Sequence, residues 1–394
     1  MSYRAPSFLK DHIQSILDFY HPNIVDPDGG FFHNFLDDGS IFEPESKHLV
    51  SSLRMVFNYS KAYQLFGDEE YKRRAEHGFE YVRQVHWNAG RQGYNWTLKN
   101  HQAEDQTNHC YGLAFVVLAH CAAAEINLPG AEEGIEATYN LMEQQFWQPN
   151  QGMYADEASK DWGELSDYRG QNANMHSCEA MLAAYEVTKD SKYLVRAYAL
   201  AKRFAVGLAA KSDGLIWEHF TSDLEVDWDY NKDDPKNLYR PWGFQPGHQT
   251  EWTKLLLILH QHKPENWMVT RAKELFDRAL AISWDEAQGG ILYGFNREGE
   301  ICDDEKYFWV QAESFAAAAR LAVVTGEAQY WDWYDKIWAY CDQHMIDHRY
   351  GAWYRVLDRN NNKLSNEKST AGGKCDYHTL GACWDVLQVT AGLN

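Results

Sequence analysis

Leu49, Leu53, Val56, Ser60 and Tyr63 recur at intervals of four, three, four and three, the spacing of one face of an α-helix. The pattern stops at Phe66-Gly67-Asp68-Glu69-Glu70-Tyr71, where the glycine suits a helix C-terminus and the aspartate an N-cap for the next helix. The same stop and restart returns at Thr188-Lys189-Asp190-Ser191-Lys192-Tyr193 and at Thr325-Gly326-Glu327-Ala328-Gln329-Tyr330. The tyrosines of the three segments stand 193 − 71 = 122 and 330 − 193 = 137 residues apart.

A second motif keeps the same register. Glycine followed by an aromatic or apolar pair occurs at Gly29-Gly30-Phe31-Phe32, Gln92-Gly93-Tyr94, Gln151-Gly152-Met153-Tyr154, Asp213-Gly214-Leu215-Ile216-Trp217, Gly289-Gly290-Ile291-Leu292-Tyr293 and Tyr350-Gly351-Ala352-Trp353-Tyr354. From Gly30 the intervals are 63, 59, 62, 75 and 62 residues, and Gly30, Gly152 and Gly289 are again 122 and 137 apart. Each instance reads as a turn into a short strand, with Trp87, Trp147 or Trp284 just before it. Between the turns lie paired helical patterns. A helix near 6–21, five hairpins and a last helix near 376–390 make twelve. Six helical pairs whose first and last members can close on each other predict an all-α (α/α)6 barrel with short β-turn and strand insertions, as one catalytic domain over 1–394; an open solenoid is the alternative. In such a barrel the inner helices run parallel and present their positive N-terminal ends to one face.

The fourth interval is 12–16 residues longer than the others. The surplus falls at Thr221–Tyr230 and on to Arg240-Pro241-Trp242-Gly243, an acidic, aromatic loop that reads equally as a lid or as a contact in a homo-oligomer.

Composition narrows the function. The 394 residues are 45% hydrophobic and 24% charged, a packed globular profile, and no apolar run is long enough for a transmembrane helix. Net charge is 37 − 57 = −20, which disfavours nucleic acid and anionic membranes as partners. The N-terminus has no apolar signal core, and seven scattered cysteines without a C-x-x-C fit reduced thiols, so a cytoplasmic protein is expected. Aromatics reach 15%, with 16 Trp and 24 Tyr; aromatic faces suit sugars, though cores use them too.

The chemistry gathers just after each turn, where the inner helices begin. Polar residues interrupt the apolar pattern at Arg54, Asn108-His109-Cys110-Tyr111, Asn172-Ala173-Asn174-Met175-His176, Gly247-His248-Gln249-Thr250-Glu251, Trp309-Val310-Gln311-Ala312-Glu313 and Lys374-Cys375-Asp376-Tyr377-His378. A lone histidine on an apolar face is usually a satisfied core residue, but several at equivalent places in a repeat point to one pocket. His176/Glu179 and His248/Glu251 stand at i, i+3, so each pair shares a helix face. Such pairs read either as metal ligands or as carboxylates that orient imidazoles; without H-E-x-x-H or a Cys/His cluster, the second reading is preferred and no metal is expected. There is no G-x-G-x-x-G after a strand, no phosphate-binding G-x-x-x-x-G-K-[ST] and no G-x-S-x-G, so no cofactor is expected. Histidine titrates near neutrality and suits abstraction of a proton α to a carbonyl, and arginine suits an enediolate oxygen. Those residues point to aldose–ketose isomerisation or 2-epimerisation of a monosaccharide. A glycoside hydrolase, with Glu251, Glu313 or Asp376 as carboxylates, and a non-catalytic sugar-binding protein are the rivals.

The segments Asn172–His176, Pro246–Trp252, Trp309–Glu313 and Lys374–Gly381 resemble the N-acylglucosamine 2-epimerase superfamily, and within it the bacterial mannose isomerase branch, over nearly the whole chain. The resemblance implies the (α/α)6 barrel and a metal- and cofactor-independent isomerase of D-mannose and D-fructose, with D-lyxose and D-xylulose as a side pair. It also implies roles for single residues. His248 would shuttle a proton between C2 and C1 through a cis-enediol, and His378 would act as acid or base in ring opening. Arg54, Tyr111, Asn172, His176, Arg240, Glu251, Trp309 and Glu313 would hold sugar hydroxyls or orient the histidines. Epimerase branches typically carry an arginine three residues after the terminal histidine; Gly381 stands there, which favours the isomerase.

Overall fold

The computed structural model describes residues 2–372 and 375–391. Among them are twelve α-helices: α1 (Pro6–Tyr20), α2 (Leu49–Phe66), α3 (Glu69–Tyr81), α4 (Cys110–Glu125), α5 (Ala131–Gln145), α6 (Gln171–Thr188), α7 (Ser191–Lys202), α8 (Pro246–His262), α9 (Asn266–Ser283), α10 (Phe308–Thr325), α11 (Ala328–Tyr340) and α12 (Tyr377–Thr390). Strands are two to four residues long and pair in twos or, once, in a three. No described helix is long and apolar enough to cross a membrane. All seven cysteines are free thiols, six of them buried.

The helix boundaries fall where the sequence punctuates. Gly67 ends α2 in the left-handed conformation (φ 70°), and the Asp68 side chain accepts from the Glu70 N–H to start α3. Lys189 and Gly326 take the same left-handed position after α6 and α10. The two-hairpin register seen in the sequence reappears at the other end of the outer helices: α3, α7 and α11 each run into a π-helical turn, Val82–His86, Arg203–Leu208 and Cys341–Met345.

The chain forms two compact units. One is Leu17–Leu200 with Glu367–Tyr377, and in it α2, α4 and α6 pack side by side. The other is built on Ala201–Asn366 and takes in α12 from His378; here α8 packs on α9 and α10, and α10 on α11. Within each hairpin the first helix is enclosed and the second is not. Every residue of α10 from Phe308 to Ala319 is buried, whereas α11 buries only Tyr330, Tyr334, Ile337, Trp338 and Tyr340. The Ala316–Ala319 run lets neighbouring helices approach α10 closely; α8, α9 and α11 all pack on it.

The glycine–aromatic turns aim the first helices. In five repeats the chain closes on itself with an equivalent backbone bond: Phe32 to Ile24, Asn95 to His86, Ala155 to Phe146, Leu292 to Ser283 and Tyr354 to Met345, at 2.7–2.9 Å. In three repeats an amide side chain at the fourth residue of the helix then clasps the turn by both of its ends. Asn174 binds the N–H and C=O of Tyr154 (2.8 and 3.0 Å), Gln249 those of Ile216 (3.0 and 2.8 Å), and Gln311 those of Ile291 (3.0 and 2.9 Å). These amides are fully buried and lie within two residues of His176, His248 and Glu313. Gln311→Ala therefore strands the N–H and C=O of Ile291, and a loss of about 2 kcal/mol is expected in chemical denaturation. An unchanged midpoint would mean that the clasp carries no stability.

The fourth turn departs from the others. A 3₁₀ turn, Ala209–Lys211, precedes it, the Ser212 hydroxyl donates to the Leu215 carbonyl (2.7 Å), and the chain continues through Glu218 into His219–Phe220. The longer loop after it is tied down by Trp217 Nε1 to the Asp227 carbonyl (3.0 Å) and Trp242 Nε1 to the Trp228 carbonyl (2.7 Å).

Candidate active site

In the unit that contains α8 and α10, two histidines are held alike. The Nδ1–H of His248 donates to both carboxylate oxygens of Glu218, at 3.0 and 2.9 Å. That of His378 donates to Glu313 Oε1 at 2.7 Å. A carboxylate only accepts, so each pairing puts the proton on Nδ1 and leaves the Nε2 lone pair as the basic site. All four side chains are buried, with the histidines each 6% exposed.

The Trp309 indole joins the pair. Its centroid is 5.0 Å from the His248 ring and 5.7 Å from the His378 ring. Tyr293 meets the indole edge-on at 6.0 Å. Gly247 makes this approach possible, because a Cβ there would lie 2.5 Å from the Trp309 ring.

Glu313 has a second partner. Its Oε2 accepts from Lys254 Nζ at 2.5 Å, and both side chains are under 10% exposed. Burial alone would raise the Glu313 carboxyl, but Lys254 and the His378 hydrogen bond outweigh it and hold the group down at about 2. That environment favours the carboxylate, the opposite of the raised-pKa proton donor that a glycoside hydrolase needs. Asp376 is also committed, accepting from the Tyr20 hydroxyl at 2.6 Å. One donor atom each from Glu251, Glu313 and His378 lies within 4.8 Å of the others, a spacing that a cation would fit; the Lys254 ammonium already supplies positive charge to Glu313 there.

The geometry adds a carboxylate that the sequence does not pair with His248. His248 and Glu251 share a face of α8, as their spacing requires, but the carboxylate that His248 engages is Glu218, thirty residues earlier. Glu251 is fully buried and directed toward Glu313 and His378. Arg240 lies in the long loop, with Nη1 donating to the Tyr230 hydroxyl at 2.9 Å.

The other unit gathers Arg54, Tyr111 and His176. Arg54 is 4% exposed; Nη2 donates to the Tyr111 hydroxyl at 3.1 Å, and the guanidinium lies 4.6 Å over Phe115 and 4.9 Å over Tyr377. His176 forms the i, i+3 bond to Glu179 expected of it (2.9 Å) and stands edge-on to Tyr111 at 5.1 Å. Tyr377 closes the set, its hydroxyl donating to Glu179 at 3.1 Å. Asn172 is half-buried at the start of α6, and its Oδ1 meets no protein donor. Lys374, read with the same rim, lies outside the described residues.

Two imidazole–carboxylate pairs, each beside the same indole, bring groups able to exchange protons together on a scaffold of helical hairpins. The model of the N-acylglucosamine 2-epimerase (GlcNAc 2-epimerase) family matches residues 30–382, and the chain belongs to that family. A D-mannose isomerase of Marinomonas mediterranea is 52% identical over 98% of this chain and 99% of its own. A crystal structure of a D-mannose isomerase superposes with a TM-score of 0.97 at 51% identity, over 98% of this chain and 99% of that one. The cellobiose 2-epimerase of Spirochaeta thermophila shares the fold at 20% identity, with a TM-score of 0.87 over 98% of each chain. The fold is accordingly the (α/α)6 class that the sixfold repeat predicts.

Proposed function

We propose that the protein is an aldose–ketose isomerase that interconverts D-mannose and D-fructose without a metal. The observation that carries the reading is the pair of Nδ1-anchored histidines that share contact with Trp309. The full-length likeness to a D-mannose isomerase supports the choice of sugar. Gly381, in place of the arginine of epimerase branches, supports the ketose product.

The reaction needs a proton moved between adjacent carbons. His248 Nε2 takes the C2 proton of the open-chain aldose, the C–H electron pair becomes the C1=C2 bond, and O1 accepts a proton. The cis-enediol then gives up the proton on O2, C2=O forms, and His248 returns its proton to C1. His378 handles the oxygen protons, first in ring opening and then at O1 and O2. Glu218 and Glu313 steady each imidazolium as it forms without taking the proton themselves. Trp309 covers part of each imidazole, which slows exchange of the carried proton with water without stopping it.

Arg54, Tyr111, Asn172 and His176 are hydroxyl-binding groups in this reading, and Arg240 a further contact from the long loop. The charge of Arg54 already lies in an aromatic cage, so its fork is fixed in one direction. Arg54→Lys keeps the charge and loses the fork. It is expected to raise KM about tenfold, the cost of about one charge-assisted hydrogen bond. Unchanged KM with a lowered Tm would make Arg54 a packing residue.

Product order tests the whole proposal. EDTA-treated enzyme given D-mannose should accumulate fructose first, followed by chromatography. Glucose as the first product would make the protein an epimerase, and loss of activity restored by a divalent ion would overturn the metal-free reading.

A further inference from the structure

We infer that Lys254 is a positioning residue for catalysis: through Glu313 it sets the charge and the orientation of His378. The inference rests on the isomerase reading for its kinetic arm and goes beyond it in adding a third member to one histidine pair.

Three residues at i, i+3 and i+6 of α8, His248, Glu251 and Lys254, occupy one side of the helix. The first is an acid–base group itself. The last reaches α10, where its ammonium binds Glu313 Oε2 at 2.5 Å while Oε1 holds His378 at 2.7 Å. The two helices are locked at this level by Thr250 and Ser314, whose hydroxyls meet at 3.0 Å. One helix thus carries one histidine and the cation that faces the other histidine's carboxylate.

The charge has a definite effect. A buried carboxylate beside an imidazole favours imidazolium, and a lysine on the same carboxylate weakens that preference. Lys254 therefore holds His378 closer to the neutral form, ready to exchange a proton rather than trapped as a stable ion pair. It also fixes the carboxylate: with Oε2 engaged, Glu313 cannot turn both oxygens to His378, as Glu218 does to His248. The two histidines share a design but differ in the charge around them, as a base and an acid in one cycle must. Among the described residues, Glu313 from α10 and Glu251 from α8 approach His378, Lys254 stands behind Glu313, and His248 shares the Trp309 indole; Asp376, two residues earlier in the chain, accepts from Tyr20.

The test compares Lys254→Met and Lys254→Arg with the wild-type enzyme, reading Tm, the pH profile of kcat/KM and the Cε1 proton titration of His378 by NMR. In Lys254→Met the His378 titration and its limb of the profile should move up by about one pH unit, and kcat should fall about tenfold to a hundredfold with KM within about threefold. Lys254→Arg should return both to the wild-type position. If Lys254→Met does not fold, Lys254→Gln carries the same test, since it keeps a donor to Glu313 and loses the charge. A folded neutral variant whose titration and profile match the wild type overturns the inference. A wild-type enzyme that leaves mannose unchanged sinks the isomerase reading instead, and the substrate-free titration still decides the role of Lys254.

Discussion

His248→Ala lowers kcat by about 10²- to 10⁴-fold while the fold survives, the loss expected for a removed acid–base group. The side chain is 6% exposed and bonded to one carboxylate, so its removal leaves Glu218 without that donor and costs some stability as well. His248→Asn is the sharper variant. Its amide can still donate to Glu218 but has no basic nitrogen, so activity should fall as far with less change in Tm. His378→Ala should fall within the same range, because proton transfer at the oxygens is a separate requirement. Near-normal turnover in both histidine variants would refute the mechanism; circular dichroism and Tm on the same samples separate lost chemistry from lost folding.

The largest effect on stability should come from acid. His12, His86 and His120 are buried and neutral, each pushed down to about 4 chiefly by desolvation. His12 Nε2 accepts from Trp353 Nε1 at 2.8 Å, a bond that protonation would break; the His86 Nδ1 bond to the Asn95 carbonyl and the His120 Nδ1 bond to the Val116 carbonyl, both at 2.8 Å, pull the other way and are outweighed by burial. In the unfolded chain these histidines protonate near 6.5. Above that pH both states are neutral and the stability is complete. As the pH falls from about 6.5 to 4 only the unfolded state takes up protons, and each histidine costs about 1.4 kcal/mol per pH unit. Three of them amount to on the order of 10 kcal/mol by pH 4, comparable with the whole stability of a typical protein. His33 and His48, lowered further by burial, add to the same trend. Glu313 acts in a lower window, its contribution lost as the pH drops from the ordinary carboxylate range toward 2. A Tm that falls steeply between pH 6.5 and 4.5 is expected, and a flat Tm across that interval would contradict it.

Much of this was legible in the chain because the repeat writes each feature several times. Gly67, Lys189 and Gly326 mark helix ends that the structure places at the same residues, and His176 with Glu179 forms the bond its spacing implies. Glu218 was hidden for a physical reason. It sits in the one turn that breaks the repeat, thirty residues from His248, where no helical period links the two. Its signal was its place directly after Gly214-Leu215-Ile216-Trp217, the point at which the other turns hand the chain toward the next helix. Lys254 was within reach, three residues past Glu251 on a face already carrying His248, but lysine on a helix normally reads as a solvated residue, and only the packing of α8 on α10 buries it. Spacing puts Glu251 on one face with His248 and leaves its role open between orienting the imidazole and ligating a metal. Shared helix face gives proximity, but it cannot reveal Glu218, which reaches His248 from outside the helix.

The most direct measurement is proton NMR of D-mannose with EDTA-treated enzyme in heavy water. Transfer through an enediol by His248 predicts D-fructose as the first product, with deuterium at C1 below one equivalent, because a single histidine carries part of the substrate's own proton across. Glucose as the first product, or fructose whose C1 never acquires deuterium even at long incubation, would contradict it.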